Sequence, residues 1–256
     1  KIVYYIHLII ILYEGFVNIL ISNDDGFKSI GIKILTASLS DYGDTFVISP
    51  SCDISASSSC LSVHGPVNIR KVDDNKYIVM GTPADCVHIG SLGILRKFPD
   101  IVLSGINFGS NLGDDVVYSG TVGAAIEGRH AKYGSFALSI TSKNPKYKKD
   151  IDKKCKKVIE YIFTKLIKHK SIFNINIPDI PVEKIKGFRI TKLGKREISK
   201  RAKKMITTKQ IKYNIGPVGE GIFKTATDFN AIRDGYISVT PISIDMTNME
   251  LYKKLK

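Results

Sequence analysis

The chain has 256 residues, 43% of them hydrophobic and 24% charged, with 9 prolines, 21 glycines and no tryptophan. That composition excludes long disorder, a collagen repeat and a disulfide-stapled miniprotein, and the length suffices for one large core with or without an appendage. The net charge of +14 is uneven: residues 1–140 carry ten basic against thirteen acidic side chains, and residues 141–256 carry twenty-eight against eleven.

Lys1 to Tyr13 is almost wholly apolar, yet too short for a bilayer span, which needs about 20 residues. No small-residue cleavage site follows, so residues 1–16 read as a non-native or upstream extension before a domain that begins near Val17. Val17 to Ser22 is a continuous apolar run closed by polar residues, the pattern of a buried parallel strand. The pattern predicts a helix from about Ser29 to Leu39 and a second strand over Thr45–Ser49, halted by Pro50. After a Ser-rich loop, residues 61–80 alternate like a hairpin turning at Asp73–Asn75, and Pro83 opens a helix reaching Leu95. Ile101–Ser104 is another buried strand. A Gly/Asn/Asp loop then leads into a helix over 121–132 and a strand over 136–140. Residues 150–169 form a Lys-rich amphipathic helix, 172–177 a strand ended by Pro178, 235–240 a last strand and 246–255 a short terminal helix. Residues 195–212 are polar and basic without a compact apolar face, so a projecting arm or hairpin is expected there. Short apolar strands alternating with helices predict an α/β fold with a doubly wound, mostly parallel sheet.

The four cysteines, 52, 60, 86 and 155, lack any zinc spacing and read as mostly packing thiols of a reducing compartment. The basic half is rich in Lys and poor in Arg, 31 against 7 over the whole chain. Phosphate and base readout favours the planar Arg fork, so a solvated Lys-rich face is preferred over a nucleic-acid or membrane surface.

Chemistry concentrates at three strand ends, where open α/β sheets bind ligands. Asp24 and Asp25 follow the first strand. Two adjacent carboxylates repel unless a cation or proton intervenes, which suits magnesium or manganese, although Asn and Asp also make ordinary capping turns. Asn107, in Ser104-Gly-Ile-Asn-Phe-Gly109, offers either a neutral metal ligand or an amide donor to phosphate. Ser119-Gly120-Thr121 enters a helix, an anion site by its free N–H groups and dipole or a simple Ser/Thr cap. Hydroxyls of Ser55 to Ser59 can reach the same edge. The coincidence of a metal with anion donors is the equipment of metal-assisted phosphate-ester hydrolysis. A nicotinamide site is excluded, because the first turn lacks GxGxxG.

Asn18-Ile-Leu-Ile-Ser-Asn-Asp-Asp-Gly26, Met80-Gly-Thr-Pro-Ala-Asp-Cys86, Asp100-Ile-Val-Leu-Ser-Gly-Ile-Asn-Phe-Gly109 and Asn111 to Val122 together resemble the SurE family, stationary-phase survival proteins. Ala124–Arg129, Asn174–Pro178 and Thr227-Asp228 extend the resemblance over about 17–250. It implies a Rossmann-like core over 17–256 with a projecting β-hairpin arm at about 190–222, and assembly into homodimers or homotetramers in the cytoplasm. It also implies a metal-dependent phosphatase acting on nucleoside 5′- and 3′-monophosphates. By the resemblance one divalent ion, magnesium or manganese, is held by Asp24, Asp25, Ser55 and Asn107, with Ser119, Gly120 and Thr121 beside the phosphate. The loop Pro50-Ser-Cys-Asp-Ile-Ser-Ala56 departs from the family pattern by lacking its Asp and Arg, so Ser55 is assigned over Ser57 or Ser58 by register from Pro50. The general base is read as Asp24 or a metal-bound hydroxide. The rival reading is a catalytically weakened relative that binds nucleic acid or polyphosphate through its basic half.

Overall fold

The apolar runs of the sequence assemble into one nine-stranded sheet. The structure, a computed structural model, describes residues 17–206 and 210–256, so the extension expected over 1–16 lies outside the described residues. The first half contains β1 (Val17–Ser22), α1 (Ile30–Ser38), β2 (Gly43–Pro50), β3 (Ile69–Asp73), β4 (Lys76–Val79), α2 (Pro83–Ile89) and β5 (Ile101–Phe108). Next come α3 (Gly120–Glu127), β6 (Ser135–Ile140), α4 (Ile151–Tyr161), β7 (Ile172–Ile177) and β8 (Phe188–Ile190). The remainder is β9 (Lys195–Arg196), β10 (Lys203–Ile206), β11 (Ile211–Asn214), β12 (Gly221–Ile222), α5 (Asp228–Arg233), β13 (Ile237–Ile242) and α6 (Met249–Leu255).

The strand order is β3-β4-β2-β1-β5-β6-β7-β13-β8. All pairings from β4 to β7 are parallel; β3 and β13 run antiparallel to β4 and β7. Successive side chains of a strand face opposite sides, and both sides here are covered. Ile19 and Ile21 of β1 join Leu103, Ile32 and Val158 under α1 and α4, whereas Leu20 joins Val102, Val87 and Ala124 under α2 and α3. Hence the strands read as continuous apolar runs rather than alternating ones.

From β1 the chain passes to β2 on one side, then crosses back to β5 on the other. The carboxyl ends of β1 and β5 therefore flank the topological switch point, where the sheet opens into a crevice.

Three expectations need adjustment. The hairpin is confined to β3 and β4. Residues 60–62 are instead drawn to α2, where the Thr82 hydroxyl donates to the Cys60 carbonyl and Ser62 donates through N–H and hydroxyl to Asp85. The helix opened by Pro83 widens into a π turn over Gly90–Ile94, where Gly90 sits so close to Leu20 and Ile48 that a β-carbon would lie 2.4 Å from Leu20. The Lys-rich helix keeps α-helical form only to Tyr161 and continues to His169 in irregular turns.

The arm is built from β9 paired with β12 and, beyond them, β10 paired with β11, all antiparallel. Its root is fixed to the 113–117 turn by an Arg196–Asp115 ion pair (2.5 Å) and by Asp228, which accepts from the N–H groups of Gly113 (2.7 Å) and Gly194 (2.9 Å). Of the cysteines, Cys86 and Cys155 are buried packing thiols, the latter pushed up to about 12 by burial, whereas Cys52 and Cys60 are exposed.

Candidate active site

The turn after β1 is held by its first residue. Asn23 is fully buried, accepts the Ser49 hydroxyl, and donates to the Gly26 carbonyl (3.0 Å) and the Ser29 hydroxyl (2.8 Å). Ser29 in turn caps α1 at the N–H of Ile32. Gly26 has φ +90°, and a β-carbon on it would lie 2.8 Å from the Cys52 backbone, so the turn requires glycine.

This frame presents two carboxylates to different neighbours. Asp24 is buried and accepts both the Thr121 hydroxyl (2.6 Å) and the Thr121 N–H (3.1 Å), which ties it to the start of α3. Burial pushes its carboxyl above the usual range, against the lowering effect of the Thr121 bonds. Asp25 is half-buried and accepts the backbone N–H of Phe108; burial first and the Asp24 charge second push it up to about 6, with Asp53 adding to the repulsion.

Asn107 reaches this edge through an irregularity in β5. Ser104 pairs with Ala137 but Asn107 with Ser139, so three steps on β5 face two on β6, the signature of a bulge that re-aims a side chain. Its amide nitrogen donates to the Gly109 carbonyl (2.8 Å), leaving Oδ1 as the atom free to accept.

The Ser-rich loop lies directly on the first turn of α3. Ser119 caps the helix at the N–H of Val122, and Ser58 donates to the Val117 carbonyl (2.7 Å). Ser57 Oγ is buried without a hydrogen-bond partner, 2.6 Å from where a β-carbon on Gly120 would stand. A β-carbon on Gly123 would likewise meet the Ser58 carbonyl at 2.2 Å, so two glycines let the loop seat here. Ser55 is exposed, and its N–H and hydroxyl both donate to one oxygen of Asp53 (2.8 and 2.6 Å).

A cleft of about 390 Å³ runs along the α1 side of this edge, lined by Asp25, Ser29, Ile30, Gly31, Asp53, Ser55, Phe108 and Lys143. The fold thus gathers Asp24, Asp25, Asn107 and the 119–121 helix start at one strand edge, with Ser55 on the same cleft as Asp25. Ser119 is the helix cap, and Thr121 bonds Asp24. Of the residues at this edge, Asp53 and Lys143 escaped the sequence reading, and Ser57 entered it only as one of the hydroxyls of Ser55 to Ser59. Asp53 had a local signal, since Asp two residues before Ser is an Asx-turn pattern. Lys143 had none, because nothing in its own segment shows what it faces.

Fold and site together define a doubly wound α/β protein whose switch-point crevice combines an acidic pair with a hydroxyl-capped helix start. A family profile described as Survival protein SurE matches residues 19–200. The 5′-nucleotidase SurE of Mannheimia succiniciproducens is 42% identical over 233 residues, covering 90% of this chain and 94% of that protein. The 5′/3′-nucleotidase SurE of Wigglesworthia glossinidia brevipalpis is 44% identical over 241 residues, covering 90% and 93%. The crystal structure of the SurE protein from Aquifex aeolicus superposes with a TM-score of 0.81 at 39% identity, covering 93% of this chain and 98% of that one. The chain belongs to the SurE family.

Proposed function

We propose that this chain is a divalent-metal-dependent phosphatase that converts nucleoside 5′- and 3′-monophosphates into nucleoside and inorganic phosphate. The observation that carries the reading is the direct bonding of Asp24 to the start of α3, which sets an acidic pair against the Ser57 and Ser119 hydroxyls. Carboxylates suit a cation and a helix start suits an anion; a phosphate ester bound through a metal uses both. The substrate class comes from relatives named as nucleotidases.

The residues fit one magnesium or manganese ion. Among the described residues no three His, Cys, Asp or Glu side chains gather around one point, so neutral donors must complete the set. Asp24, Asp25, Asn107 Oδ1 and the Ser55 hydroxyl are all hard oxygens, and the Asp25 carboxyl, raised by burial first and by the Asp24 charge second, is one that a cation would favour in its ionised form. When bound, the ion would polarise a phosphoryl oxygen and make water more acidic.

Thr121 fixes the direction of the Asp24 carboxylate through two hydrogen bonds. The Ser57 and Ser119 hydroxyls donate to phosphoryl oxygens as charge grows on them. A water oxygen bonds to phosphorus while the ester P–O bond breaks. The proton shed by that water passes to the Asp24–Asp25 pair, and the departing nucleoside oxygen takes its proton from solvent.

We place the chain in the cytoplasm, a reducing compartment that suits cysteines none of which is paired among the described residues. No described helix is long and apolar enough to cross a membrane.

The test is phosphate release from a panel of nucleoside 5′- and 3′-monophosphates with manganese, magnesium or chelator. Release should require the metal and fall at least about a hundredfold in Asp24→Asn. A folded wild type that releases none with either metal would overturn the reading in favour of a basic binding protein.

A further inference from the structure

The cleft beside Asp25 has a charge problem that the site described above does not solve. Its lining holds two carboxylates, Asp25 and Asp53, with the Asp24 charge behind Asp25, and the loop over 51–59 contains no Lys or Arg. One divalent ion would leave that edge with a net negative charge, and a substrate phosphate arrives as an anion. Some further cation has to face it.

The lining of the cleft contains one such group, Lys143, from the segment between β6 and α4. Its stem is held at the site by backbone geometry. Gly109 has φ +142°, and a β-carbon placed there would stand 3.6 Å from both Lys143 Cγ and the Asn107 amide nitrogen, and 3.9 Å from Lys143 Cε. The aliphatic stem thus lies along the bare Asn107–Gly109 turn. Residue 109 is anchored to β6 by its N–H to the Ile140 carbonyl (2.9 Å), which fixes the distance between that turn and the segment bearing Lys143. Among the described residues no carboxylate lies within ion-pair distance of the Lys143 ammonium, although Asp25 and Asp53 line the same cleft. Its charge is therefore available to a ligand.

We propose that Lys143 is a substrate-binding residue of this site, meeting the phosphate group of the nucleotide from the α1 side while the start of α3 meets it from the other. The proposal rests on the phosphatase reading for its substrate, but the contact is with phosphate and is readable by binding alone. Lys suits the position because a compact, flexible ammonium can follow the phosphoryl group without imposing a bidentate geometry.

The experiment compares wild type, Lys143→Ala, Lys143→Gln and Lys143→Arg by steady-state kinetics on a nucleoside 5′-monophosphate, by inhibition with inorganic phosphate, and by calorimetric titration of inorganic phosphate in the presence of manganese. Loss of a charge-assisted contact should raise KM and weaken phosphate inhibition about tenfold in the Ala and Gln variants, with kcat changed less than about threefold. Lys143→Arg should stay close to wild type, and the salt dependence of kcat/KM should flatten when the charge is removed. Unchanged KM and unchanged phosphate affinity in Lys143→Ala would overturn the proposal while leaving the phosphatase reading intact. If wild type turns nothing over, the titration still decides: weaker phosphate binding in Lys143→Ala supports the contact, and equal binding, or none in wild type, removes it.

Discussion

Asp24 and Asp25 are neighbours in sequence and cannot be separated by any rotation of the turn, so the chain carries their mutual repulsion whenever no cation is bound. The cost falls on Asp25, whose carboxyl is pushed up to about 6 by burial and by Asp24. An acid whose pKa is higher in the folded than in the unfolded state holds more protons when folded, so stability falls as pH rises from the ordinary carboxylate range through about 6. Above that pH the full cost is present, about 1–2 kcal/mol once solvent screening of a half-exposed group is allowed for. Asp25→Asn should therefore raise the melting temperature of the chelator-treated protein at pH 8 and lose that advantage near pH 4, while abolishing manganese-dependent protection. A variant no more stable than wild type at pH 8 would show that the pair is not strained. The same repulsion is why the pair stands out in the sequence, although two acids closing an apolar run point as readily to an ordinary capping turn as to a cation. Ser55 was placed only by counting from Pro50, and its bonds to Asp53 emerge from the turn geometry.

At the scale of the element, the proposed reaction has α3 serve two ends with one residue. The Ser119 oxygen accepts the Val122 N–H, which caps the helix, and its hydroxyl hydrogen remains free to donate to a ligand. These uses respond differently to substitution. Alanine at an N-cap costs about 1 kcal/mol, whereas glycine costs only a few tenths. Ser119→Ala should thus lower stability in urea unfolding and Ser119→Gly barely, while both lose the donor and reduce kcat/KM to the same extent, about tenfold or more. If activity instead tracked stability, recovering in the glycine variant, Ser119 would be a cap and nothing else. The helix and its cap were readable from Ser-Gly-Thr before an apolar run, as the strands were from apolar runs closed by polar residues. What the sequence hid is long-range. Gly105 is the kind of residue that marks a bulge, but nothing in Ser104 to Gly109 tells which side chain it re-aims, and nothing in Lys143 announces Gly109 as its neighbour. Local patterns fix elements, but register and sheet order come from packing between segments far apart in the chain. The last strand, β13, shows this: nothing in Ile237–Ile242 announces that it runs antiparallel to β7 and parallel to β8.

For the whole molecule the question is what the arm is for, since it buries little within its own chain. Pairing of β10 with β11 puts Ile206 opposite Ile211 and Lys204 opposite Tyr213, so Ile206, Ile211 and Tyr213 share one face. Those three side chains are 72%, 62% and 60% exposed, and Ile198 and Ile215 nearby are almost fully so. An apolar face of this kind on a projecting hairpin suits contact with another molecule, and the homodimer or homotetramer expected from the resemblance would supply it. Burying each such side chain is worth about 2 kcal/mol, so removing two from each protomer weakens a dimer by several kcal/mol. Light scattering on the purified protein should accordingly give a dimer or tetramer mass, and the pair Ile211→Ser with Tyr213→Ser should shift it towards the monomer. The sheet lies outside the arm and every proposed site residue comes from one chain, so the variant should keep its circular dichroism and its metal-dependent phosphate release. A wild type that stays monomeric at micromolar concentration would free the arm from that role. Loss of release on dissociation would instead mean that the arm, fixed by Arg196 to the 113–117 turn just before Ser119, transmits its position to the site.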